Sequence, residues 1–355
     1  MQAARWHGRR DIRVEEIDPA SVGPNDVRVD VDTGGICGSD LHEYAAGPIF
    51  IPEGNPHGLS NEIAPITMGH EFSGEVSEVG VEVTDLSEGD PVAINPILYC
   101  GECRQCAQAD YHICDSIGFV GLSGGGGGFA ENVVVDAEKA IPLREDLPLE
   151  HGALVEPLSV GLHAVRRSGV RAGDTVAVFG SGPIGLSVIQ CARAAGASRI
   201  LVSEPRAPRR ERAAASGADR CIDPMAVDAV EEIHAATGGG VDAAFEVAGI
   251  ETTFNAALRA TRPSGTVTVV SIWEEKAKMQ PNTLVLGERT LTGTLAYLGG
   301  PRSGEEYGMV IDMLADGVLD PDPLITDRID LADIVDGFES LLDDESDQVK
   351  IFVKP

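Results

Sequence analysis

The sequence predicts an α/β protein of two domains, one rich in β-strands and one built on a doubly wound parallel sheet. Three observations predict it. The chain opens with short runs of period-two alternation, Ile12-Arg13-Val14 and Val27-Arg28-Val29-Asp30-Val31, as strands with one buried face do. Beyond residue 156 apolar strand-like runs alternate with helical stretches, the pattern of a parallel sheet covered by helices. The chain of 355 residues is long enough to bury two sizeable cores. The boundaries read as 1–156 with 298–355 for the first domain, and 157–297 for the second.

Hydrophobic residues make up 43%, as in a globular protein. There are 57 acidic residues against 27 basic ones, for a formal net charge of −30. Such a surface repels phosphate backbones and anionic membranes, so nucleic acid and membrane are disfavoured as partners. Lysine is scarce: Lys139, Lys276, Lys278, Lys350 and Lys354 are all there is, and arginine supplies the rest. Scarce lysine and acidic runs such as Asp343-Asp344-Glu345-Ser346-Asp347 fit a salt-rich cytosol, where self-repulsion is screened. Residues 1–7 lack the apolar core of a signal peptide, and no stretch approaches 18 uninterrupted apolar residues. A cytoplasmic protein is expected. Seven cysteines, unevenly clustered, point to metal and away from a disulfide framework.

Taken in order, the first chemical segment is Cys37-Gly38-Ser39-Asp40-Leu41-His42. Zn²⁺ takes thiolate, imidazole and carboxylate ligands, and Cys37 offers the first of these. Ser39 and His42 offer a route by which a hydroxyl proton reaches water. The irregular segment 47–65, punctuated by Pro and Gly, separates this site from the next; its His57 is either a substrate contact or an exposed loop residue. Gly69-His70-Glu71 then leads into a strand. Neighbouring strand residues point to opposite faces, so His70 is taken as a ligand and Glu71 as a support behind it or an alternate ligand. The strongest local signal is Cys100, Cys103 and Cys106, closed by Cys114 eight residues on. Four thiolates in this spacing make a closed, structural zinc site, whereas a redox dithiol needs only two. The five glycines 124–128 read by default as a flexible loop.

In Val155-Glu156-Pro157-Leu158-Ser159, Pro157 suits a first helical turn and Glu156 complements the helix dipole. With a cysteine and a histidine in hand, Glu156 is also a candidate third ligand. The strand Thr175-Val176-Ala177-Val178-Phe179 runs straight into Gly180-Ser181-Gly182-Pro183-Ile184-Gly185. Between a strand and a helix, this fingerprint binds a dinucleotide: the first glycine turns the chain, the second admits the pyrophosphate, and the third lets helix and strand pack closely. Glu204 ends the next strand, Arg199-Ile200-Leu201-Val202-Ser203, where an acidic group accepts from both ribose hydroxyls of NAD and repels a 2′-phosphate. Arg206, Arg209 and Arg210 follow and are the competing anchors for such a phosphate; Glu204 is weighted more heavily, which favours NAD. Further strands are expected at 241–246, 266–270 and 290–297, a helix at 309–314 and a closing strand at 349–353. Cys191 and Cys221 read as small core residues.

Together, Cys37 with Ser39 and His42, Gly69-His70-Glu71, the four-cysteine lobe, Glu156 and the glycine fingerprint fall in the order of the zinc-dependent medium-chain dehydrogenases, which the chain resembles over essentially its whole length. A glutamate at position 156 resembles the polyol branch (sorbitol, threonine and butanediol dehydrogenases). Within it, Ala4-Arg5-Trp6-His7-Gly8, Gly47-Pro48-Ile49-Phe50-Ile51-Pro52 and Gly121-Leu122-Ser123-Gly124 are most similar to the 2,3-butanediol dehydrogenases. The resemblance implies a GroES-like catalytic domain, a Rossmann domain with a cleft between them, NAD, two zinc ions per chain and a homodimer or homotetramer. It implies Cys37, His70 and Glu156 as catalytic zinc ligands, with Glu71 behind them or exchanging with Glu156. It implies hydride transfer from a secondary alcohol or diol to NAD, the hydroxyl proton leaving through Ser39 to His42.

Two other functions are weighed against this one. Zinc-free quinone or enoyl reductases share the fold but lack the ligand set. A non-catalytic dinucleotide-binding protein would be expected to have lost either the ligands or the relay. Within the branch, sorbitol, threonine or a sugar is the alternative substrate. The acidic, lysine-poor composition carries its own prediction: the melting temperature rises as KCl is raised from low to saturating concentration, and an unchanged melting temperature refutes the salt adaptation.

Overall fold

The structure is a computed structural model that describes residues 1–343 and 345–355, so Asp344 of the acidic run lies outside the described residues. The chain divides into two compact units: Met1–Glu156, Leu298–Gly317 and Ile325–Pro355 form one, and Pro157–Tyr297 with Val318–Leu324 form the other. Val318–Leu324 therefore group with the second unit and not with the rest of 298–355. The reason is local: the Gln190 amide donates to the Asp320 carbonyl at 2.8 Å and accepts from the Asp320 N–H at 2.7 Å.

The first unit is built on a seven-stranded sheet. Its order is Ala140–Pro142, Pro91–Ile94, Glu71–Val79, Asp26–Gly35, Lys350–Lys354 and Ile325–Asp330, with Asn132–Asp136 also paired to Asp26–Gly35. A three-stranded sheet of Asp11–Glu16, Gln2–Gly8 and Ile66–Thr67 lies beside it in the same unit. Alternation in Asp26–Gly35 puts Val27, Val29 and Val31 into one core cluster with Phe72, Val92 and Val133. A second cluster gathers Trp6, Tyr44, Phe129, Phe338 and Ile351. The final strand lies against Asp26–Gly35 with Phe352 opposite Gly35, and Gly35 in turn lies opposite Glu71. Three strands thus meet at one glycine.

The second unit is a six-stranded, all-parallel sheet in the order Arg220–Ile222, Arg199–Ser203, Thr175–Phe179, Val241–Glu246, Thr261–Val269 and Thr290–Gly293. The order in which the chain adds strands to the sheet reverses between Thr175–Phe179 and Val241–Glu246, and ligands of doubly wound sheets bind at such a switch point. The last strand ends at Gly293, four residues short of the expected 297.

The glycine run is not a flexible loop. A Cβ at Gly127 would sit 2.3 Å from the Met68 carbonyl oxygen and 2.7 Å from that of Thr67, and one at Gly128 would strike the Phe72 ring at 2.5 Å. Glu62 fixes the start of the run by accepting the Gly125 N–H at 2.8 Å. At Gly127 backbone packs on backbone and at Gly128 it packs on the Phe72 ring, beside the segment that carries His70. Gly127→Ala is accordingly expected to destabilise the protein by about 1–3 kcal/mol through overpacking. A urea denaturation midpoint equal to that of the parent would count against this packing.

Candidate active site

The helix Gly38–Ala46 begins with Cys37 as its N-cap, in an extended backbone conformation (φ −97°, ψ 159°) with its side chain turned to the Asp40 backbone. Asp40 closes the cap: its Oδ2 accepts the Cys37 N–H at 2.9 Å. Its other oxygen, Oδ1, lies 3.3 Å from His70 Nδ1. The Ser39 hydroxyl lies 3.1 Å from the other ring nitrogen, Nε2. The first turn of one helix therefore supplies a neighbour to each nitrogen of the histidine. His42 follows one turn later, half-buried.

His70 is not part of a strand. Gly69 takes φ +98°, reserved for glycine, and regular pairing starts only at Glu71. Strand alternation therefore does not separate the two side chains. Donor atoms of Cys37, His70 and Glu71 lie within 4.8 Å of one another. Glu71 is fully buried and receives Lys350 Nζ on both oxygens, at 2.7 Å and 2.5 Å. Glu156 is buried in the first turn of the helix Val155–Ser168 and is not a member of this donor cluster, although its charge acts on Lys350.

Electrostatics at the cluster are severe. Burial pushes the Cys37 thiol up, and the Glu71 charge adds to the effect. Burial alone would lower the pKa of His70, but the Asp40 and Cys37 charges outweigh it and hold the imidazole well above its usual value. Burial likewise opposes the charge on Lys350, and the Glu71 and Cys37 charges overcome it, raising its pKa. A cysteine sulfur, an imidazole and a carboxylate brought this close together are the donor set of a zinc site.

The lobe 97–119 makes the other cluster. Sulfur–sulfur distances are 3.5 Å for Cys103–Cys106, 3.9 Å for Cys103–Cys114 and 3.5 Å for Cys100–Cys114. A tetrahedron with Zn–S bonds of about 2.3 Å has edges of about 3.8 Å, so four thiolates on one zinc fit. Backbone N–H groups of Cys103, Cys106, Cys100 and Ser116 point at these sulfurs from 3.3–3.4 Å. Such donors favour thiolate: N–H groups of Asp115 and Cys106 lower the pKa of Cys103 to about 6. Burial pushes Cys106 up to about 12 and raises Cys114.

In the second unit Gly180 has φ +102° and turns the chain, while a Cβ at Gly185 would lie 2.3 Å from the Gly180 carbonyl oxygen. Nothing lies within 4 Å of a Cβ built on Gly182, which caps the helix Pro183–Ala194 with no side-chain hydrogen bond of its own. With Pro183 and Ile184 in the first turn, the free N–H groups of this terminus suit a phosphate. Glu204 is buried; its Oε2 accepts the Ser181 N–H at 2.9 Å and its Oε1 the Arg206 N–H at 3.0 Å. The acid expected at the ribose is thus tied to the glycine loop itself. Arg209 is linked through its carbonyl, which accepts the Ser181 hydroxyl at 3.2 Å. Arg210 is turned away onto the Glu204 carbonyl at 2.9 Å and the Asp223 carboxylate at 3.2 Å.

His57 is neither an exposed loop residue nor a member of the donor cluster. Its ring lies against the Gly118 backbone, and its main chain closes a turn with Glu62 and Asn61. Sequence reasoning passed over Asp40 and Lys350. Asp40 had a signal, since it stands three residues after Cys37 at capping-box spacing. Lys350 had a weaker one, a lone lysine inside the apolar run Val349-Lys350-Ile351-Phe352-Val353 of a lysine-poor chain.

Comparison with known proteins agrees with this geometry. A family model described as alcohol dehydrogenase GroES-like domain matches residues 23–145, and one described as zinc-binding dehydrogenase matches 183–316. The chain is 46% identical to (R,R)-butanediol dehydrogenase of Bacillus subtilis, covering 100% of both chains. It is 40% identical to (R,R)-butanediol dehydrogenase of Neisseria gonorrhoeae, covering 100% of this chain and 99% of that one. The crystal structure of 2R,3R-butanediol dehydrogenase from Bacillus subtilis superposes with a TM-score of 0.93 over 100% of this chain and 99% of that one, at 46% identity.

Replacing one lobe cysteine tests the second cluster by itself. Cys106→Ser is expected to lower the zinc content by one equivalent per chain and the melting temperature by roughly 4–12 °C, as a loss of about 2–3 kcal/mol would. Unchanged zinc content by elemental analysis would refute a four-thiolate site.

Proposed function

Since the chain belongs to the zinc-dependent medium-chain dehydrogenases, we propose that it oxidises a vicinal secondary diol of the 2,3-butanediol kind, with NAD as hydride acceptor. The observation that carries this reading is the meeting of Cys37, His70 and Glu71, brought from two separate segments into one donor cluster. Full-length similarity to (R,R)-butanediol dehydrogenases supports the diol.

In this reading Cys37 and His70 hold the catalytic zinc together with a carboxylate, for which Glu71 and Glu156 are the two candidates. Bound zinc supplies Lewis acidity toward the substrate hydroxyl oxygen. Asp40 orients the His70 ring through Nδ1, as carboxylates behind metal-binding histidines do. Ser39 accepts the hydroxyl proton, which passes by way of the nicotinamide ribose to the His42 imidazole and from there to solvent. The substrate carbon gives up its hydride to the nicotinamide, leaving a ketone. Gly180, Gly182 and Gly185 shape the loop for the pyrophosphate, with Pro183 and Ile184 in the helix turn that faces it. Glu204 accepts from the ribose hydroxyls and repels a 2′-phosphate, with Arg209 alongside. The four lobe cysteines hold a second, structural zinc.

The edge strand Thr290–Gly293 pairs on one side only among the described strands, and Leu291 on it is exposed, which supports a homodimer or homotetramer. No helix among the described residues is long and apolar enough to cross a membrane; cytoplasmic location is part of the proposal.

NADH production from the 2,3-butanediol stereoisomers, sorbitol and L-threonine, in KCl-rich buffer with and without a chelator, tests the reading. Chelator-sensitive turnover of one butanediol stereoisomer is expected, at least tenfold faster with NAD than with NADP. Cys37→Ser should abolish it while NADH still binds. Faster turnover of sorbitol or threonine would replace the substrate, and an active Cys37→Ser enzyme would overturn the metal centre.

A further inference from the structure

We propose that Lys350 is a positioning residue that keeps the Glu71 carboxylate displaceable, so that a metal at the Cys37–His70 centre is held less firmly than its donors allow; this rests on the metal centre proposed above. The three protons of the ammonium are all used: two go to the oxygens of Glu71, at 2.7 Å and 2.5 Å, and one to the Ile36 carbonyl at 3.0 Å. Neither side chain has any measurable exposure. The pair exists because Gly35 lies between the two strands that carry it. A Cβ there would stand 2.5 Å from Glu71 Oε2 and 3.4 Å from Lys350 Cδ. Scarcity adds weight: a chain with five lysines places one of them, wholly buried, on a donor of its metal cluster.

The consequence follows from charge. A carboxylate that already receives an ammonium on both oxygens has less to offer a cation. Without the ammonium the same buried carboxylate is uncompensated, and a cation becomes its best partner. Removing the lysine charge should therefore tighten the metal. A merely structural lysine gives the opposite sign, because loosening the sheet speeds metal loss.

The experiment is the rate of zinc release from holoenzyme to a chromogenic chelator without substrate, with the zinc that remains in Cys37→Ser taken as the lobe contribution. Lys350→Met is expected to slow release from the Cys37 centre at least tenfold, and Lys350→Gln to do the same should the Met variant not fold. Lys350→Arg, which keeps the charge, should stay within about threefold of the parent. Adding Glu71→Gln to Lys350→Met should abolish the slowing. Release at the parental rate or faster from a folded neutral variant overturns the proposal, as does equal slowing in Lys350→Arg. A parent that holds zinc in the lobe alone overturns the metal-centre reading, and this proposal with it.

Discussion

Everything at the first cluster depends on balancing charge among buried groups. Asp40, His70, Glu71 and Lys350 are buried beside the half-buried Cys37, and a carboxylate taken out of water costs several kcal/mol unless a counter-charge or hydrogen bonds replace its solvent. The fold meets this cost from different directions. A helix N-cap absorbs one oxygen of Asp40, a histidine ring faces the other, and a strand from the far end of the chain delivers the ammonium to Glu71. The sheet around the cluster is specified as tightly as the cluster, since a one-residue slip in any of the three strands would carry Glu71 or Lys350 to the other face.

Glycine performs the same service in both units. Gly35 and Gly127 are empty so that other groups can occupy the space, and Gly185 lets a helix approach the turn at Gly180. In each case the missing Cβ is a packing requirement, and only Gly69 and Gly180 among these sites also need a positive φ. The closeness of Glu204 to Ser181 extends the point: the acid proposed to meet the ribose also fastens the glycine loop, so in that reading cofactor preference and loop geometry rest on one side chain.

Much of this was legible in the sequence. Spacing alone announced the four-cysteine lobe, because thiolates that close a tetrahedron must lie near one another in a short loop. The parallel sheet was equally legible: strands at 175–179, 199–203 and 241–246 are mostly buried along their length and carry short apolar cores, Val176–Phe179, Ile200–Val202 and Ala243–Phe245. Less legible was anything set by partners distant in sequence. The union of His70 and Glu71 depends on where a strand begins, and the meaning of Lys350 depends on a glycine more than three hundred residues away. The glycine run 124–128 misled for the same reason, since composition records the freedom of glycine and not the backbone packed against it.

Lys350 and Glu71 are 279 residues apart, and the whole of Pro157–Tyr297 lies between them in the chain. During synthesis the parallel-sheet unit is complete and can collapse while the first unit still lacks its final strands. Until those strands arrive, Glu71 has no ammonium, and Gly34 and Gly35 lack their partners Val353 and Phe352. Order of synthesis thus makes the inserted unit early and the site-bearing unit late. A chain released before residue 350 carries every cysteine and histidine of the centre but none of the charge that balances it.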